Sequence, residues 1–277
     1  MERRHELFFV PIERRFRLLH VSDVHFSKIT SHEHNARVTE EILEQLAFYH
    51  MPADPADPED DLDDPVRVVC VTGDLISRGY DDKSMEDALT LLRRMQETAP
   101  VVYSLGNHET DWPEDVLRGF LARVRETGVI VLDNESAEIG GVTFTGLTLP
   151  RSVFRHENGS YRKLTPITED LVRDCLGHCP GHPNVLLAHT PLGFDAYAAW
   201  GADAVLSGHI HGGIVRVGNV GLLSPERRFL PKYTKGRFLS ENRRCTMNVS
   251  AGIGKFRIND PPEIICIDLM ADSAKEG

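Results

Sequence analysis

Short apolar runs alternate with amphipathic segments over the first two thirds of the chain. Each apolar run holds four to six mostly apolar residues and ends in a polar turn, which is typical of buried strands. The predicted strands cover 16–23, 66–74, 101–108, 184–190 and 203–209. Segments between them repeat apolar residues at helical spacing and predict helices over 33–50, 84–98 and 111–128. This alternation predicts an α/β fold.

Glycine turns separate shorter strand-like runs elsewhere in the chain. The runs at 137–149, 212–225, 245–254 and 263–269 predict hairpins and a second sheet. The segment "GFDAYAAWGA" (193–202) predicts a helix that packs on a sheet. We expect one domain over residues 1–277, in which two mixed sheets pack together and helices lie outside them.

Composition and charge narrow the classes of partner. The chain has 277 residues, of which 41% are hydrophobic and 26% charged, which suits a folded core. The net charge is −11 and no Lys/Arg block occurs, so no nucleic-acid partner is indicated. A phosphate-bearing substrate is compatible with this acidity where metal ions supply positive charge. Much of the acidity lies in the proline-rich segment 51–65, which predicts an exposed loop.

The cysteines and the apolar run lengths predict a cytoplasmic protein. The five cysteines are an odd number, and Cys70 and Cys266 lie in strand-like runs, which favours buried thiols over disulfides. Cys175 and Cys179, with His178 and His182 nearby, leave a small zinc site open as an alternative. No run approaches the ~18 apolar residues of a membrane span, and the N-terminal run is too short for a signal peptide.

Polar side chains follow all five predicted strands. They are Asp23 and His25, then Asp74, then Asn107, His108 and Glu109, then His189, and finally His209 and His211. Ligands of open α/β sheets bind outside the carboxyl ends of the strands, so we expect these side chains to meet at one edge. Each pattern alone is typical of a turn. Their coincidence at five strand ends favours a binding site.

The residue types indicate divalent metals. Imidazole, carboxylate and amide oxygen, without thiolate, suit Mn²⁺, Fe²⁺/Fe³⁺ or Zn²⁺. Seven of these side chains are candidate ligands, namely Asp23, His25, Asp74, Asn107, His189, His209 and His211. One ion does not need so many ligands, so we expect two divalent or transition metal ions. Paired metals roughly 3.5–4 Å apart clamp the attacking and leaving oxygens in phosphoryl displacement.

These five motifs, in this order, resemble those of the calcineurin-like metallophosphoesterase superfamily. The later segments "YTKGRF" (233–238), "VSAGIG" (249–254) and "PPEI" (261–264) resemble its bacterial branch of small stand-alone phosphodiesterases. The resemblance implies a four-layer αββα sandwich, in which helices flank two mixed β-sheets, and a dinuclear metal site.

The resemblance also implies a role for each residue. Asp23, His25 and His211 would bind the first metal. Asn107, His189 and His209 would bind the second, and Asp74 would bridge both. Asn107 and His108 would contact the substrate, and Glu109 would orient nearby groups. A metal-bridging hydroxide would attack a small-molecule phosphodiester while His108, as general acid, protonates the leaving oxygen. An imidazole with an ordinary pKa of about 6.5 can supply that proton near neutral pH.

Two other functions stay open from the sequence. The first is a pyrophosphatase acting on a nucleotide-linked lipid precursor, which needs an apolar trough; Phe194, Tyr197 and Trp200 are candidates to line it. The second is a non-catalytic scaffold of the same fold. A scaffold is expected to have lost ligands or the acid histidine, and this chain retains them all. The sequence predicts no particular oligomeric state.

Overall fold

The computed structural model describes residues 1–50, 64–156, 158–213, 216–217, 220–221, 231–254 and 261–271. The helices of these parts are α1 (His32–His50), α2 (Asp82–Gln96), α3 (Glu114–Glu126), α4 (Glu169–Leu176) and α5 (Phe194–Trp200). The strands are β1 (Glu2–Val10), β2 (Phe16–Val21), β3 (Val66–Thr72), β4 (Val101–Ser104), β5 (Ile130–Leu132), β6 (Ser136–Ile139), β7 (Val142–Leu147), β8 (Asn184–Ala188), β9 (Ala204–Ser207), β10 (Arg216–Val217), β11 (Val220–Gly221), β12 (Gly236–Leu239), β13 (Thr246–Val249) and β14 (Glu263–Ala271).

Two mixed sheets form the centre of the described part of the molecule. The first sheet has the order β1-β14-β2-β3-β4-β5, and the pair β14–β2 is its antiparallel one. The second has the order β12-β13-β9-β8-β7-β6, with antiparallel pairs at its two ends and parallel pairs between β13, β9, β8 and β7. Strands β10 and β11 form a separate antiparallel hairpin.

Alternating side chains of the strands divide the apolar core into layers. On β2, Leu18 faces the core between the two sheets, whereas Leu19 faces the core under α1, α2 and α3. On β8, which belongs to the second sheet, Leu187 faces the core between the two sheets, and Leu186 packs under α4 and α5. Helix, sheet, sheet and helix therefore follow one another, and the predicted four-layer αββα sandwich is confirmed.

The predicted central elements are present, but two expectations about the sheets are wrong. The run 263–269 belongs to β14, which lies in the first sheet rather than the second. The five strands that carry the candidate ligands also do not share one sheet, because β2, β3 and β4 lie in the first and β8 and β9 in the second. An apolar run indicates that a strand is buried. Which sheet the strand joins depends on its pairing with residues far away in the sequence.

Three smaller expectations concern helix α5, the alternative zinc site and the predicted loop 51–65. Helix α5 packs on the second sheet as predicted, and Phe194, Tyr197 and Trp200 are only 1%, 0% and 4% exposed, so they cannot line a trough. The zinc alternative finds no support in the described residues, where Cys179 donates to the Gly181 and Gly201 carbonyls instead. Of the predicted loop 51–65, residues 51–63 lie outside the described ones.

Two further expectations concern the whole chain. None of the described helices has both the length and the apolar character that crossing a membrane requires. The expectation that residues 1–277 form one domain stays a prediction.

Candidate metal centre

The candidate ligands meet where the carboxyl ends of the central strands of both sheets face each other. Asp23 and His25 follow β2, Asp74 follows β3 and Asn107 follows β4 in the first sheet. His189 follows β8, and His209 and His211 follow β9 in the second. All seven side chains are buried, none of these residues being more than 7% exposed. The site therefore lies where the carboxyl-end edges of the two sheets meet, rather than at the edge of one sheet.

The backbone at five of these residues is left-handed. The φ angles are 53° at Asp23, 58° at His25, 50° at Asp74, 67° at His209 and 52° at His211. This conformation costs a non-glycine residue of order 1 kcal/mol or more and persists where surrounding structure enforces it. The Asp23 amide donates to the Gly73 carbonyl and the His25 amide to the Asp74 carbonyl. The strained turns aim these side chains into a shared space.

Asp23, His25 and His211 form one group of potential ligands. Asp23 Oδ1 lies 3.7 Å from His25 Nε2 and 3.8 Å from His211 Nε2. Ser22 Oγ and the His209 amide donate to Asp23 Oδ2, at 2.6 and 3.0 Å, and fix the carboxylate. Ligand atoms that each lie ~2.1 Å from one ion are about 3–4 Å apart, so this spacing fits a cation.

Asp74, His189 and His209 form a second group. His189 Nε2 lies 3.2 Å from both Asp74 Oδ2 and His209 Nδ1. His189 Nδ1 donates to the Thr72 carbonyl at 2.7 Å, which directs Nε2 toward the centre. Asp74 Oδ2 is also 3.9 Å from His25 Nε2. Asp74 thus lies between the two groups, as expected of a bridging carboxylate.

A buried oxygen without a protein partner indicates that the centre is built for a cation. Asn107 Oδ1 makes no hydrogen bond to the described residues, although this atom is buried. An unpaired buried acceptor costs about 1–3 kcal/mol, which a coordinated ion offsets. Asn107 shares a small cleft of about 70 Å³ with Asp74, His209 and His211. The nitrogen and oxygen donors therefore fit two divalent cations.

The electrostatics of the centre keep both carboxylates ionised. Burial works to raise the pKa of Asp23 and of Asp74, but the imidazoles around them lower both pKa values below the ordinary carboxyl range. Burial likewise works to lower the pKa of His189, yet Asp74 and Asp23 outweigh it and raise that pKa to about 10. Burial lowers the pKa of His211 to about 3. Buried negative charge of this kind attracts cations.

His108 lies beside the bridging carboxylate. Its amide donates to Asp74 Oδ1 at 2.8 Å, and its Nε2 lies 3.7 Å from Asp74 Oδ2. The Arg78 amide donates to His108 Nδ1 at 3.3 Å, so the proton of the neutral ring is on Nε2. Burial lowers the pKa of His108 to about 4, against the pull of Asp74. The expectation of an ordinary imidazole pKa is therefore wrong for this residue.

Glu109 joins the turns that follow β3 and β4. Its Oε2 accepts hydrogen bonds from the amides of Asp74 and Gly106, both at 3.0 Å, and its Oε1 accepts one from the Ile76 amide at 3.1 Å. Burial, followed by the nearby Asp74 carboxylate, raises the pKa of Glu109 to about 7. The side chain is fully buried and fixes the turn that presents Asp74.

Other residues at the site have no sequence motif. Arg78, Phe154 and Tyr161 line the cleft with His108. A larger cavity of about 480 Å³ reaches the other side of the centre at His25. These residues lie in loops without metal-ligand or catalytic spacing, so no pattern along the chain marks them.

Comparison with known proteins gives a family match. The calcineurin-like phosphoesterase family model matches residues 16–213. The uncharacterized metallophosphoesterase YkoQ of Bacillus subtilis (strain 168) is 26% identical over 208 residues, covering 74% of this chain and 64% of YkoQ. The uncharacterized metallophosphoesterase Cj0846 of Campylobacter jejuni subsp. jejuni serotype O:2 is 26% identical over 213 residues, covering 73% of this chain and 50% of Cj0846.

The chain spans less than two thirds of the length of these relatives. Among solved structures, a putative 5′-nucleotidase from Staphylococcus aureus in complex with alpha-ketoglutarate is similar with a TM-score of 0.47 and 14% identity. That alignment covers 94% of this chain and 55% of the nucleotidase.

Proposed function

Because the chain belongs to the calcineurin-like phosphoesterase family, we propose that it is a metal-dependent phosphoester hydrolase that prefers phosphodiesters. One observation carries the proposal: seven buried nitrogen and oxygen ligands from two sheets converge on a space between them. Asp23, His25 and His211 would hold one cation. Asn107, His189 and His209 would hold the other, with Asp74 between them. The donor set suits Mn²⁺, Fe²⁺/Fe³⁺ or Zn²⁺.

The protein's own groups orient the substrate and move a proton. When bound, the two cations supply Lewis acidity and an acidified water. Asn107 and His108 lie together in the cleft and would contact the phosphoryl oxygens. The Arg78 amide donates to Nδ1 of His108 and so leaves Nε2–H to donate a hydrogen bond to the leaving oxygen. Full transfer of a proton to that oxygen would start from the imidazolium form of His108 and leave the neutral ring. Glu109 holds the Asp74 turn while this happens.

The test is hydrolysis of bis(p-nitrophenyl) phosphate and p-nitrophenyl phosphate with added Mn²⁺. We expect wild type to prefer the diester. His108→Ala should lower kcat about 10²–10⁴-fold, the usual contribution of a general acid. Asp74→Asn should lose both metal and activity. His178→Ala changes an exposed histidine outside the centre and serves as the control.

The contrary outcomes are specific. Undiminished rates in both His108→Ala and Asp74→Asn would exclude the assigned mechanism. Purified protein that binds no transition metal and hydrolyses neither ester would favour the scaffold instead. About two equivalents of metal with activity support the enzyme.

The cavity beside His25 favours a second candidate, the hydrolysis of a nucleotide-linked lipid precursor at its pyrophosphate bond. Its walls are largely apolar and include Val24, Phe26, Ile29 and Val38, and Ile29 is 85% exposed. Its volume of about 480 Å³ falls in the usual range of ligand pockets. It thus offers the apolar trough that Phe194, Tyr197 and Trp200 do not.

Chain length of the substrate separates this candidate from the first. Octyl p-nitrophenyl phosphate should exceed methyl p-nitrophenyl phosphate in kcat/KM if the cavity binds an alkyl chain, and Ile29→Glu should cancel the advantage. Equal kcat/KM for the two esters would count against a lipid-linked substrate.

A further inference from the structure

We infer that Glu263 is a positioning residue for the cation site of Asp23 and His25. Its carboxylate fixes residues 250–254, and these residues hold the turn that carries both ligands. The inference rests on the proposed function and deepens it, because it assigns the support of one metal site to a side chain that is not itself a ligand.

Residues 250–254, the support loop, bond to the turn that follows β2. The amides of Ile253 and Gly254 donate to the Asp23 carbonyl at 3.2 and 2.6 Å. The Ile253 amide also donates to the Ser22 carbonyl at 3.1 Å. Left-handed backbone, such as the φ of 53° at Asp23, persists where surrounding structure enforces it. The support loop supplies part of that enforcement.

Two glycines of the support loop lie against the ligands themselves. A Cβ on Gly252 would lie 2.6 Å from the Asp23 Cβ. A Cβ on Gly254 would lie 2.6 Å from Cδ2 of the His25 ring. These distances leave no room for a side chain, so the loop and the ligands are in direct contact. Both ligands belong to the first of the two groups, and a shift of the loop would therefore displace ligands of that group.

Glu263 fastens the support loop to the first sheet. It is the first residue of β14 and is 0% exposed. Its Oε1 accepts a hydrogen bond from the Ala251 amide at 2.8 Å, and its own amide donates to the Gly252 carbonyl at 3.1 Å. The support loop follows β13 of the second sheet, whereas β14 pairs with β2 of the first. Glu263 thus holds the loop beside the strand that Asp23 follows.

Two cationic side chains fix the Glu263 carboxylate. Arg4 Nη1 lies 3.2 Å from Oε1, and Lys235 Nζ lies 3.1 Å from Oε2. Their side chains are only 17% and 11% exposed, so both pairs are largely shielded from water. A buried carboxylate left without such partners is strongly destabilising. The two pairs therefore hold each oxygen in one place, and Oε1 stays beside the Ala251 amide.

This network joins three segments whose role the ligand pattern does not explain. Lys235 belongs to "YTKGRF", Ala251 to "VSAGIG" and Glu263 to "PPEI". None of the three residues is a candidate ligand. Their contacts with one another end at the turn of Asp23, so we assign these segments the support of that site.

A role of Glu263 in stability alone is the alternative to positioning. Asp268 lies on the same strand, is also buried at 1% exposed, and is also held by two cations, Arg15 and Arg17. Loss of either carboxylate leaves buried cations unpaired, which destabilises the fold. Of the two carboxylates, Glu263 is the one bonded to the support loop in the described structure. Asp268 therefore serves as the control.

Calorimetric titration of the metal-free protein with Mn²⁺ tests the inference. Glu263→Leu removes the acceptor of the Ala251 amide and should raise the Kd of one site about 10–100-fold, the usual effect of losing an outer partner of a ligand. Anomalous diffraction at limiting Mn²⁺ should show the loss at the site of Asp23. Glu263→Gln keeps an oxygen for the Ala251 amide and should restore most of the affinity. Asp268→Asn should leave both Kd values unchanged.

Lys235→Met covers a failure of Glu263→Leu to fold. It frees Oε2 of Glu263 but leaves Oε1 with the Ala251 amide, so the same Kd should rise several-fold. Amide hydrogen exchange in the presence of EDTA is a readout that needs no metal. The amides of Ala251, Ile253 and Gly254 should exchange faster in both variants than in wild type, because the support loop opens more readily.

Unchanged Mn²⁺ affinity in Glu263→Leu and Lys235→Met overturns the inference. An equal loss of affinity at both sites also overturns it, because positioning by the support loop concerns the site of Asp23. So does a loss in Asp268→Asn as large as in Glu263→Leu, since that result would mean general destabilisation.

Turnover separates this inference from the proposed function. Wild type that binds two Mn²⁺ ions but hydrolyses neither bis(p-nitrophenyl) phosphate nor p-nitrophenyl phosphate contradicts the function, while the Kd values still decide on Glu263. Turnover by wild type, together with equal Kd values in wild type and all Glu263 variants, excludes the positioning role alone.

Discussion

At the residue scale, the two histidines of "GHIHGG" (208–213) belong to different ligand groups. His209 Nδ1 lies 3.2 Å from His189 Nε2, in the group of Asp74. His211 Nε2 lies 3.8 Å from Asp23 Oδ1, in the group of His25. Left-handed backbone at both residues turns the chain between them. The motif therefore spans both groups instead of chelating one ion.

His209→Ala and His211→Ala should each remove about one equivalent of metal, from different sites. Metal content by mass spectrometry of the purified protein measures the loss, and anomalous diffraction shows which site is empty. Losing one ligand of several typically weakens a site without abolishing its neighbour, so the other ion should remain. If both variants emptied the same site, the assignment of His209 and His211 to different metal sites would be wrong. His178→Ala should retain both ions.

The residue types at the strand ends were readable from sequence, whereas their supporting contacts were not. Asp23, His25, Asp74, Asn107 and His189 follow apolar runs, which is a local signal. The ion pairs of Asp111 with Arg78 and Arg151 join residues 33 or more positions apart, and arginines in loops have no diagnostic spacing. The pKa of His108 depends on burial that no local pattern reports.

At the element scale, two glycines let neighbouring turns approach the carboxylates. A Cβ on Gly106 would collide with the Oδ1 and backbone nitrogen of Asp74. A Cβ on Gly208 would collide with Ser22 Oγ and Asp23 Oδ2. The turns after β4 and β9 thus pack directly against the ligands that follow β3 and β2, and each glycine removes the side chain that would separate them.

Gly106→Ala and Gly208→Ala should therefore weaken Mn²⁺ binding by displacing Asp74 and Asp23. Calorimetric titration with Mn²⁺ measures the effect, and thermal unfolding reports whether the variant still folds. Gly119→Ala is the matched control, because Gly119 is exposed in α3 with open space around it. That control should bind Mn²⁺ normally and gain roughly 0.5–1 kcal/mol of stability. Unchanged Mn²⁺ affinity in both site variants would contradict the close approach.

The five strands that carry the candidate ligands, all predicted from the sequence, lie inside the sheets and are buried on both faces. β2, β3, β4, β8 and β9 are interior strands of mainly parallel pairing, and their apolar runs are continuous. β1 was not predicted because most of its residues are exposed or half-buried and charged residues interrupt it. It is an edge strand, for which an apolar run is not required.

At the scale of the whole molecule, one buried carboxylate joins the two ends of the chain. Asp268 lies on β14 and is 1% exposed. It accepts hydrogen bonds from Arg17 Nε on β2 at 2.8 Å and from Arg15 at 2.9 Å, and it pairs with His5 of β1 at 3.1 Å. β14 pairs with β1 on one side and β2 on the other. The ionised carboxylate thus ties the strands at this edge of the first sheet.

This network should make stability depend on acid. Burial works to raise the pKa of Asp268, but hydrogen bonds from Arg17, His5 and Arg15 lower it well below the unfolded value near ~3.9. A carboxyl with a depressed folded pKa stabilises the protein fully above its unfolded pKa, and this contribution is lost as pH falls through and below it. The loss should be progressive below about pH 5.

Asp268→Asn should consequently lower the free energy of unfolding by about 2–4 kcal/mol at pH 7, because it leaves two arginines without their buried partner. Urea unfolding at pH 7, 5 and 3.5, with EDTA present so that bound metal does not contribute, measures the difference from wild type. That difference should shrink as the pH falls below about 5, since the unfolded wild-type chain then binds a proton at Asp268 that the folded chain, whose Asp268 pKa is lower, does not bind. Asp64→Asn, an exposed carboxylate paired with Arg67, should differ little from wild type at pH 7. A difference for Asp268→Asn that stays constant from pH 7 to 3.5 would mean that packing, rather than the charge of Asp268, holds β14 between β1 and β2.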